Sequence, residues 1–376
     1  MQRVTIIGVG GFVGRNLRVA LARRDDVELA VLDLDADKGE LAVALADCDV
    51  VYHLPGVRPH PDPTEGEAVS PTSTATLCRL IGANPRHSTV VVSLEAKSDS
   101  ERPHNCAERA AEQALASWAE ATAANLAIFR LPCVFGKWRQ PNRDSLVATV
   151  CHNVAHSLPI KIDDPTRLLA LVYIDDVVAS LLAAIEHPPS GFETRQIEPS
   201  TQITVGAMAE MVGTFRASQH AADLQDFEVR FERQLYATYL SYLEPSELSF
   251  ALELKRDDRG DLVELLRQPH VGQIFVSRTR PGVTRGNHYH DTKVERFLVL
   301  QGEGIVRLRR LYSTDVLVYP VSGIAPRVVI IPPGTTHSIQ NVGPDDMLTL
   351  FWADEVFDPD CADTYSTPVL LDEGER

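Results

Sequence analysis

The sequence predicts two domains of different fold classes, a parallel α/β domain followed by an all-β barrel. Over the first third of the chain, short β-rich segments alternate with amphipathic helical segments, which is typical of α/β folds. From about Phe250 the pattern changes to short strands separated by turns. The length of 376 residues is sufficient for two or three domains. We therefore expect a first domain over residues 1–244 and a second over residues 245–376.

The elements of the first domain follow one another in a regular order. The segment RVTIIG is a predicted strand, and RNLRVALARR after it has its apolar residues at helical spacing. The strands that follow are LAVLDL, DVVYHL, STVVVSL and LAIFRL, and the helices among them are ELAVALAD and CAERAAEQALASWAEATAA. This alternation predicts a parallel sheet with helices on both faces. Residues 137–245 are less regular, with one more helical pattern at VVASLLAAIEH.

Composition and charge exclude several classes of function. A net charge of −16 argues against binding to nucleic acid, whose phosphates require a basic surface. The same charge disfavours anionic membranes, and no apolar run approaches the length that spans a bilayer. The N-terminus has a strand pattern in place of a signal peptide, and the six cysteines include no C-x-x-C pair. These features predict a cytoplasmic protein with reduced thiols.

A glycine-rich turn follows the first predicted strand. Gly8, Gly11 and Gly14 form the pattern G-x-x-G-x-x-G between this strand and the first helix. Glycines at such a turn let the backbone approach a pyrophosphate at the helix N-terminus, as in Rossmann folds. The second strand ends near Asp33, whose carboxylate would bind an adenosine ribose and repel a 2′-phosphate. The pattern predicts a dinucleotide site that prefers NAD, and the alternative is a Rossmann-like domain that binds no nucleotide.

Two motifs in the second domain contain potential metal ligands. The first, GVTRGNHYHDTKVERFLVLQG, contains His288, His290 and Glu295, and the second, IPPGTTHSIQN, contains His337. Their spacing is that of the two signature motifs of cupin jelly-roll barrels. Residues two apart in a strand point to the same face, so His288 and His290 are expected to face the barrel interior together. Three imidazoles and a carboxylate suit a divalent transition metal, with zinc preferred, and the alternative is a structural barrel without metal.

Other segments of the chain resemble known families. GGFVG, HLPG, RLPCVFG and LALVYIDDVV are similar to motifs of the extended short-chain dehydrogenase/reductase family. With a cupin behind this domain, the chain resembles the CapF-like family of bifunctional capsular polysaccharide enzymes from Met1 to about Pro368. The shared segments are GFVGRNL, FGKWRQPN, LYATYLSYL, DDRG, GNHYHDTK and FDPDCADTY. The resemblance implies a reductase domain, a zinc cupin with epimerase activity on a UDP-linked sugar, and a homodimer formed through the cupin.

The first domain departs from that family where the reductases carry Tyr-x-x-x-Lys. His104 stands at the tyrosine position and Glu108 at the lysine position, and Ser93-Leu94-Glu95 replaces a run of serines. Glu108 would place a negative charge where a cation should stabilise the ionised base. The substitutions predict a domain without reductase activity. The alternatives are an unusual site in which His104 transfers the proton, and a different alignment of this helix.

The second domain also resembles the 3,5-epimerases of rhamnose pathways, through DDRGDLVE and GVTRGNHYH. By that resemblance Arg259 would contact a nucleotide phosphate and His288 would act as the base. A metal-bound imidazole cannot freely take up a proton, so we prefer the metal role for His288. Lys293 and Tyr289 are then candidate proton carriers, with ordinary rim residues as the alternative. Arg285 is a second candidate for binding the pyrophosphate.

These observations predict a cytoplasmic enzyme that acts on a nucleotide-sugar substrate. The expected reaction is metal-assisted epimerisation at C3 of a UDP- or dTDP-linked 4-keto-6-deoxy sugar, beside a degenerate reductase domain. One alternative keeps both activities and adds NAD(P)H-dependent reduction at C4. The other alternative is a non-catalytic module that binds or senses a nucleotide sugar.

Overall fold

The chain folds into two compact units. The computed structural model describes residues 1–55, 71–82, 84, 88–95, 103–142, 145–219, 222 and 228–371. The first unit comprises Met1–Gly213 and Arg230–Glu244, and the second comprises Thr214–Val229 and Pro245–Arg376. The second unit therefore includes Thr214–Val229, which a division after residue 244 assigns to the first domain.

The first unit contains nine strands and eight helices in its described part. The strands are β1 (Gln2–Ile7), β2 (Val27–Leu32), β3 (Val50–His53), β4 (Thr89–Glu95), β5 (Leu126–Leu131), β6 (Cys133–Phe135), β7 (Leu168–Tyr173), β8 (Phe192–Gln196) and β9 (Thr201–Thr204). The helices are α1 (Phe12–Leu21), α2 (Lys38–Leu45), α3 (Pro71–Gly82), α4 (Pro103–Thr122), α5 (Leu146–Ala155), α6 (Ile174–Glu186), α7 (Val205–Ser218), whose last residues fall in the second unit, and α8 (Arg230–Leu240).

A six-stranded parallel sheet forms the centre of the first unit. Its strand order is β2-β1-β3-β4-β5-β8, and a smaller sheet has the order β6-β7-β9. Alternate residues of each central strand enter separate cores. Val91 packs in a core with Leu17 of α1 and Leu181 of α6, whereas Val90 packs in a core with Leu77 of α3 and Leu115 of α4. Helices therefore cover both faces, which explains the continuous apolar runs of these strands.

The second unit is built from antiparallel strands. They are β10 (Leu254–Asp257), β11 (Gly260–Gln268), β12 (Gly272–Thr279), β13 (Thr284–Tyr289), β14 (Glu295–Gln301), β15 (Glu303–Arg310), β16 (Val316–Ser322), β17 (Val328–Ile331), β18 (Thr335–Asn341), β19 (Met347–Ala353) and β20 (Tyr365–Ser366). One sheet has the order β10-β11-β12-β19-β14-β17, and the other has the order β16-β15-β18-β13-β20.

The two antiparallel sheets share one apolar core. Phe297 and Phe351 from the first sheet pack in the same cluster as Val306 and Ile339 from the second. The predicted fold class, a Rossmann-like α/β domain followed by an all-β domain, is confirmed. Among the described residues, no helix combines the length and apolar character needed to cross a membrane.

Candidate functional site

An extra residue in β13 determines which way His288 points. Gly286 lies opposite Ser338 of β18, and His288 lies opposite His337, so Asn287 between them has no counterpart. Asn287 adopts the left-handed conformation, with φ of 59°. Residues that lie opposite each other in paired strands share a face of the sheet. The bulge therefore brings His288 to the same face as His337.

Four side chains converge on this face. The potential ligand atoms of His288, His290, Glu295 and His337 all lie within 4.8 Å of one another. The Nε2 atoms of His290 and His337 are 3.3 Å and 3.2 Å from Oε2 of Glu295. These three atoms are buried, yet within the described chain none has a hydrogen bond of acceptable geometry. Buried polar atoms that converge without satisfying one another fit a metal ion better than a structural network.

The ionisation of Glu295, His288 and His290 also fits a cation. Burial raises the pKa of Glu295, but His290 and His337 beside it outweigh burial and lower the pKa to about 2. Burial, followed by the nearby His337, lowers the pKa of His288 to about 4. Burial lowers the pKa of His290, but Glu295 outweighs it and the net shift is upward. A metal ion would supply the positive charge that a proton on His290 otherwise supplies to Glu295.

His290 and the loop after it are held by Asp363, a residue that the sequence analysis missed. The Nδ1 atom of His290 is hydrogen-bonded to the backbone carbonyl of Asp363. The Asp363 carboxylate accepts bonds from the backbone N–H groups of Asp291, Thr292 and Lys293. Burial raises the pKa of this carboxyl, but the three N–H donors reverse the shift, and the pKa lies well below its usual range. In the sequence, Asp363 appeared only within the shared segment FDPDCADTY.

The structure separates the two candidate proton carriers. Lys293 is buried, and its positive charge is close enough to His290 to act against protonation of that imidazole. Its Nζ atom lies 5.8 Å from the centre of the Phe357 ring. Tyr289 alternates with the two histidines along the strand and so lies on the opposite face. There its ring stacks on Tyr365 with centroids 5.1 Å apart, and the structure does not bring it to the cluster.

Two arginines in the second unit share one carboxylate. Nε of Arg259 donates to Asp257 over 2.9 Å, and the Arg285 guanidinium lies 3.8 Å from the same side chain. Arg285 lies opposite Ile339, a core residue, and its Nε donates to Thr279 over 3.1 Å. Two guanidinium groups with one shared carboxylate retain a net positive charge, which suits an anionic ligand.

The glycine-rich turn of the first unit has the close contacts expected of a dinucleotide site. Gly8 has a φ of 94°, and a Cβ atom on it would lie 2.4 Å from the Leu54 carbonyl oxygen. A Cβ atom on Gly14 would lie 2.2 Å from the Gly8 carbonyl oxygen. Gly11 is the N-cap of α1, whose first turn has no acidic residue. The first N–H groups of α1 therefore remain suited to an anion.

Asp33 lies directly beside this turn. A Cβ atom on Gly10 would come within 2.7 Å of Oδ2 of Asp33. The other carboxylate oxygen, Oδ1, accepts from the backbone N–H of Leu34 over 3.0 Å. This is the position from which a carboxylate reaches the ribose of a dinucleotide in Rossmann folds.

The predicted reductase positions are only partly visible. His104 and Glu108 lie on α4, which begins at Pro103, but their side chains lie outside the described part of the structure. Ser93 is buried in β4, and the side chain of Glu95 is likewise outside the described part. The proposed roles of His104 and Glu108 therefore stay predictions.

Two family models match the chain in succession. Residues 4–198 match the NAD dependent epimerase/dehydratase family, and residues 255–365 match the polysaccharide biosynthesis C-terminal domain. The chain is 36% identical to the UDP-2-acetamido-2,6-beta-L-arabino-hexul-4-ose reductase of Pseudomonas aeruginosa, over 98% of this chain and 99% of the reductase. The chain belongs to the CapF-like family of capsular polysaccharide proteins.

Solved structures agree with this membership. The crystal structure of the capsular polysaccharide assembling protein CapF from Staphylococcus aureus matches with a TM-score of 0.89 and 34% identity, over 97% of this chain and 100% of that one. UDP-glucuronic acid 4-epimerase from Bacillus cereus, in complex with NAD, matches with a TM-score of 0.53 and 16% identity. The match covers 64% of this chain and 98% of the epimerase, and it is a similarity of fold alone.

We expect about one Zn²⁺ ion per chain in protein purified without chelators, because imidazoles and carboxylates are donors that this ion takes in proteins. His337→Ala should lose the ion, since it removes a fully buried donor. His270→Ala, which changes an exposed histidine of the same unit, should retain it. Elemental analysis of the three proteins measures the metal content. Wild-type protein that contains no metal and takes up no added zinc would contradict the ligand assignment.

Proposed function

We propose that the protein is a nucleotide-sugar enzyme whose second unit epimerises C3 of a UDP- or dTDP-linked 4-keto-6-deoxy sugar. The main support is the convergence of His288, His290, Glu295 and His337 around one point. The relative from Pseudomonas aeruginosa is named for a UDP-linked sugar with a keto group at C4. The substrate class is extended to this chain from that relative.

Inversion beside a ketone requires removal of the α-proton, polarisation of the ketone, and return of a proton to the other face. A divalent metal held by the three histidines and Glu295, as in cupins, would polarise the ketone as a Lewis acid. Lys293, buried beside His290, is the group that we assign to proton transfer at C3.

The pyrophosphate of the substrate would bind at the two arginines that share Asp257. Guanidinium groups bind phosphate oxygens in pairs of parallel hydrogen bonds. Arg285 has a side chain that is 11% exposed, whereas that of Arg259 is 54% exposed. The surrounding strands would therefore hold Arg285 in place before the substrate binds. The more exposed Arg259 would move from Asp257 towards the phosphates after binding.

In the first unit we propose a bound dinucleotide. Gly8 and Gly14 permit close approach of the backbone, and the first turn of α1 can receive the pyrophosphate. The Asp33 carboxylate would accept hydrogen bonds from the ribose and repel a 2′-phosphate, which favours NAD over NADP.

Reduction of the C4 ketone is the second candidate activity. It is favoured by the name of the full-length relative, a reductase, and by the intact glycine-rich turn. It is opposed by His104 and Glu108 at the positions where the reductases carry tyrosine and lysine. We therefore propose that the first unit binds the cofactor without transferring a hydride.

Epimerisation at C3 can be tested by deuterium exchange in D₂O. We expect NMR to show deuterium at C3 of a UDP- or dTDP-4-keto-6-deoxy sugar without any added nicotinamide cofactor. Glu295→Gln should slow the exchange sharply, because it removes the carboxylate from the metal site. Arg259→Ala should raise the substrate concentration for half-maximal exchange by about tenfold, the order expected for a lost charged hydrogen bond.

The same experiment separates the metal role from the proton role. Lys293→Met should retain the metal and lose the exchange, whereas His270→Ala should retain both. An unchanged C3 signal across several such sugars, in protein with confirmed metal, would exclude the epimerase. That result would favour a module that binds or senses nucleotide sugars.

Reductase activity can be tested by the absorbance of the reduced nicotinamide. We expect no substrate-dependent oxidation of NADH or NADPH by purified protein with the same sugars, because Glu108 offers no cation to stabilise an ionised base. Oxidation that disappears in His104→Ala would show that the bifunctional alternative is correct and that His104 is its acid.

We also propose that the second unit forms a homodimer, which the resemblance to the family implies. The outer face of the six-stranded antiparallel sheet carries many apolar side chains, with Arg296 among them opposite Ile330 and Trp352. On this face Leu298 lies opposite Val328 on one side and Leu350 on the other. Val328 and Ile330 remain 52% and 55% exposed. An apolar face of this kind in an acidic chain suits a second copy of itself, since a twofold axis pairs the same surface on both copies.

Light scattering coupled to size-exclusion chromatography tests the dimer. Wild-type protein should have twice the mass of the chain. Leu350→Arg should give the monomer mass, because it places a charge in the middle of the face that the dimer would bury. Leu158→Arg, which changes an exposed leucine of the first unit, should leave the dimer intact. A wild-type monomer at micromolar concentration would contradict the proposal.

A further inference from the structure

The segment Ala362–Val369, called here the C-terminal strap, lies along β13, the strand that carries His288. Its short strand β20 pairs antiparallel with β13, so that Ser366 lies opposite His288 and Tyr365 lies opposite Tyr289. The stacked rings of Tyr289 and Tyr365 reinforce this pairing. The strap therefore covers the edge of β13 that would otherwise be unpaired.

The bulge residue Asn287 anchors the strap beyond this pairing. Its backbone carbonyl accepts from the N–H of Thr367 over 2.9 Å, and its side-chain oxygen accepts from the N–H of Val369 over 3.2 Å. Thr336, next to His337, donates its hydroxyl to the carbonyl of Thr367 over 2.6 Å. The residue that orients His288 is therefore also the residue that binds the strap.

A buried arginine holds the far end of the strap. Arg309 is 4% exposed, and its guanidinium donates to the carbonyls of Val369 and Pro368 over 2.9 Å and 2.8 Å. Charged hydrogen bonds of this kind are among the stronger ones in proteins. The strap is thus fixed to the barrel at both ends, and Asp363 near its beginning has a defined position.

Asp363 acts on two of the four converging side chains. Its backbone carbonyl accepts the Nδ1 hydrogen of His290, which leaves the Nε2 lone pair directed at the cluster. Its carboxylate binds the N–H groups of Asp291, Thr292 and Lys293, and the hydroxyl of Thr292 over 3.1 Å. These residues form the loop between His290 and Glu295, so the carboxylate sets the separation of these two side chains.

We propose that Asp363 is a positioning residue of the metal centre. It touches neither the ion nor the substrate, and it acts by holding His290 and the loop that leads to Glu295 in the geometry of the site. The inference rests on the metal centre of the proposed function. It adds that the C-terminal strap is part of that centre.

The test compares Asp363→Ala and Asp363→Asn with Asp360→Ala in the full-length protein. Asp360 is an exposed aspartate three residues away, so its substitution removes the same charge from the segment just before the strap. The readouts are Zn²⁺ affinity, measured by competition with a chelator, the visible absorption spectrum of the Co²⁺-loaded protein, and thermal unfolding of the metal-free protein. The absorption spectrum reports coordination geometry, which a purely structural role would not alter.

We expect Asp363→Ala to weaken Zn²⁺ binding about 10- to 100-fold, the usual effect of losing an outer partner of a metal ligand. Asp363→Asn should weaken it less, because one acceptor oxygen remains. Both variants should shift the Co²⁺ spectrum, and Asp360→Ala should match the wild type. Should Asp363→Ala fail to fold, the asparagine variant carries the same prediction.

Two outcomes would overturn the proposal in distinguishable ways. If wild-type protein binds metal and both Asp363 variants bind it with the same affinity and spectrum, Asp363 has no positioning role and the metal centre stands. If the wild-type protein binds no metal, the proposed metal chemistry and this inference fail together. Metal binding without C3 exchange would overturn the epimerase alone.

Discussion

A carboxylate buried in the core of a β-barrel is the constraint around which the second unit is organised. An ionised side chain without a partner is expensive in an apolar interior, so Glu295 requires positive charge close by. The structure brings three imidazoles to it, from β13, the loop after β13, and β18. The bulge at Asn287 orients His288, which lies opposite His337, and the C-terminal strap holds His290. The apolar cluster around Phe297 and Phe351 then supplies the dry surroundings in which such charges interact strongly.

The first unit depends on a different constraint, the close approach of backbone segments. Gly8 and Gly14 lie where any side chain would collide with a carbonyl oxygen, so the turn between β1 and α1 can form only with glycine. The same lack of side chains leaves the start of α1 accessible to an anionic ligand. Each unit therefore contains a candidate site of its own kind, one built on backbone geometry and the other on a buried set of side chains.

Much of this organisation can be read from local patterns. The alternation of strands and helices predicted the α/β unit, and the short strands after Phe250 predicted the all-β unit. The spacing of His288 and His290 predicted that they would share a face, because the period of a strand is two residues. These features depend on neighbours in the sequence, which is why local patterns were sufficient.

Features that depend on pairing between distant segments were not predictable in this way. Asp363 reaches His290 from the other end of the barrel sequence, and no local pattern records that contact. Tyr289 was a candidate proton carrier because of its neighbours, but strand alternation places it against Tyr365. The grouping of Thr214–Val229 with the second unit likewise depends on tertiary contacts, which composition does not reveal.

The bulge at Asn287 has a consequence for how this centre can be lost in evolution. Asn287 stands between two paired residues without a counterpart of its own in β18, and it also binds the C-terminal strap. Removal of this codon would leave His288 opposite His337 in a regular pairing, but it would remove both hydrogen bonds by which Asn287 holds the strap. A descendant gene could therefore keep all four potential ligands and the pairing of His288 with His337, and lose the support that the strap gives to His290, through one in-frame deletion.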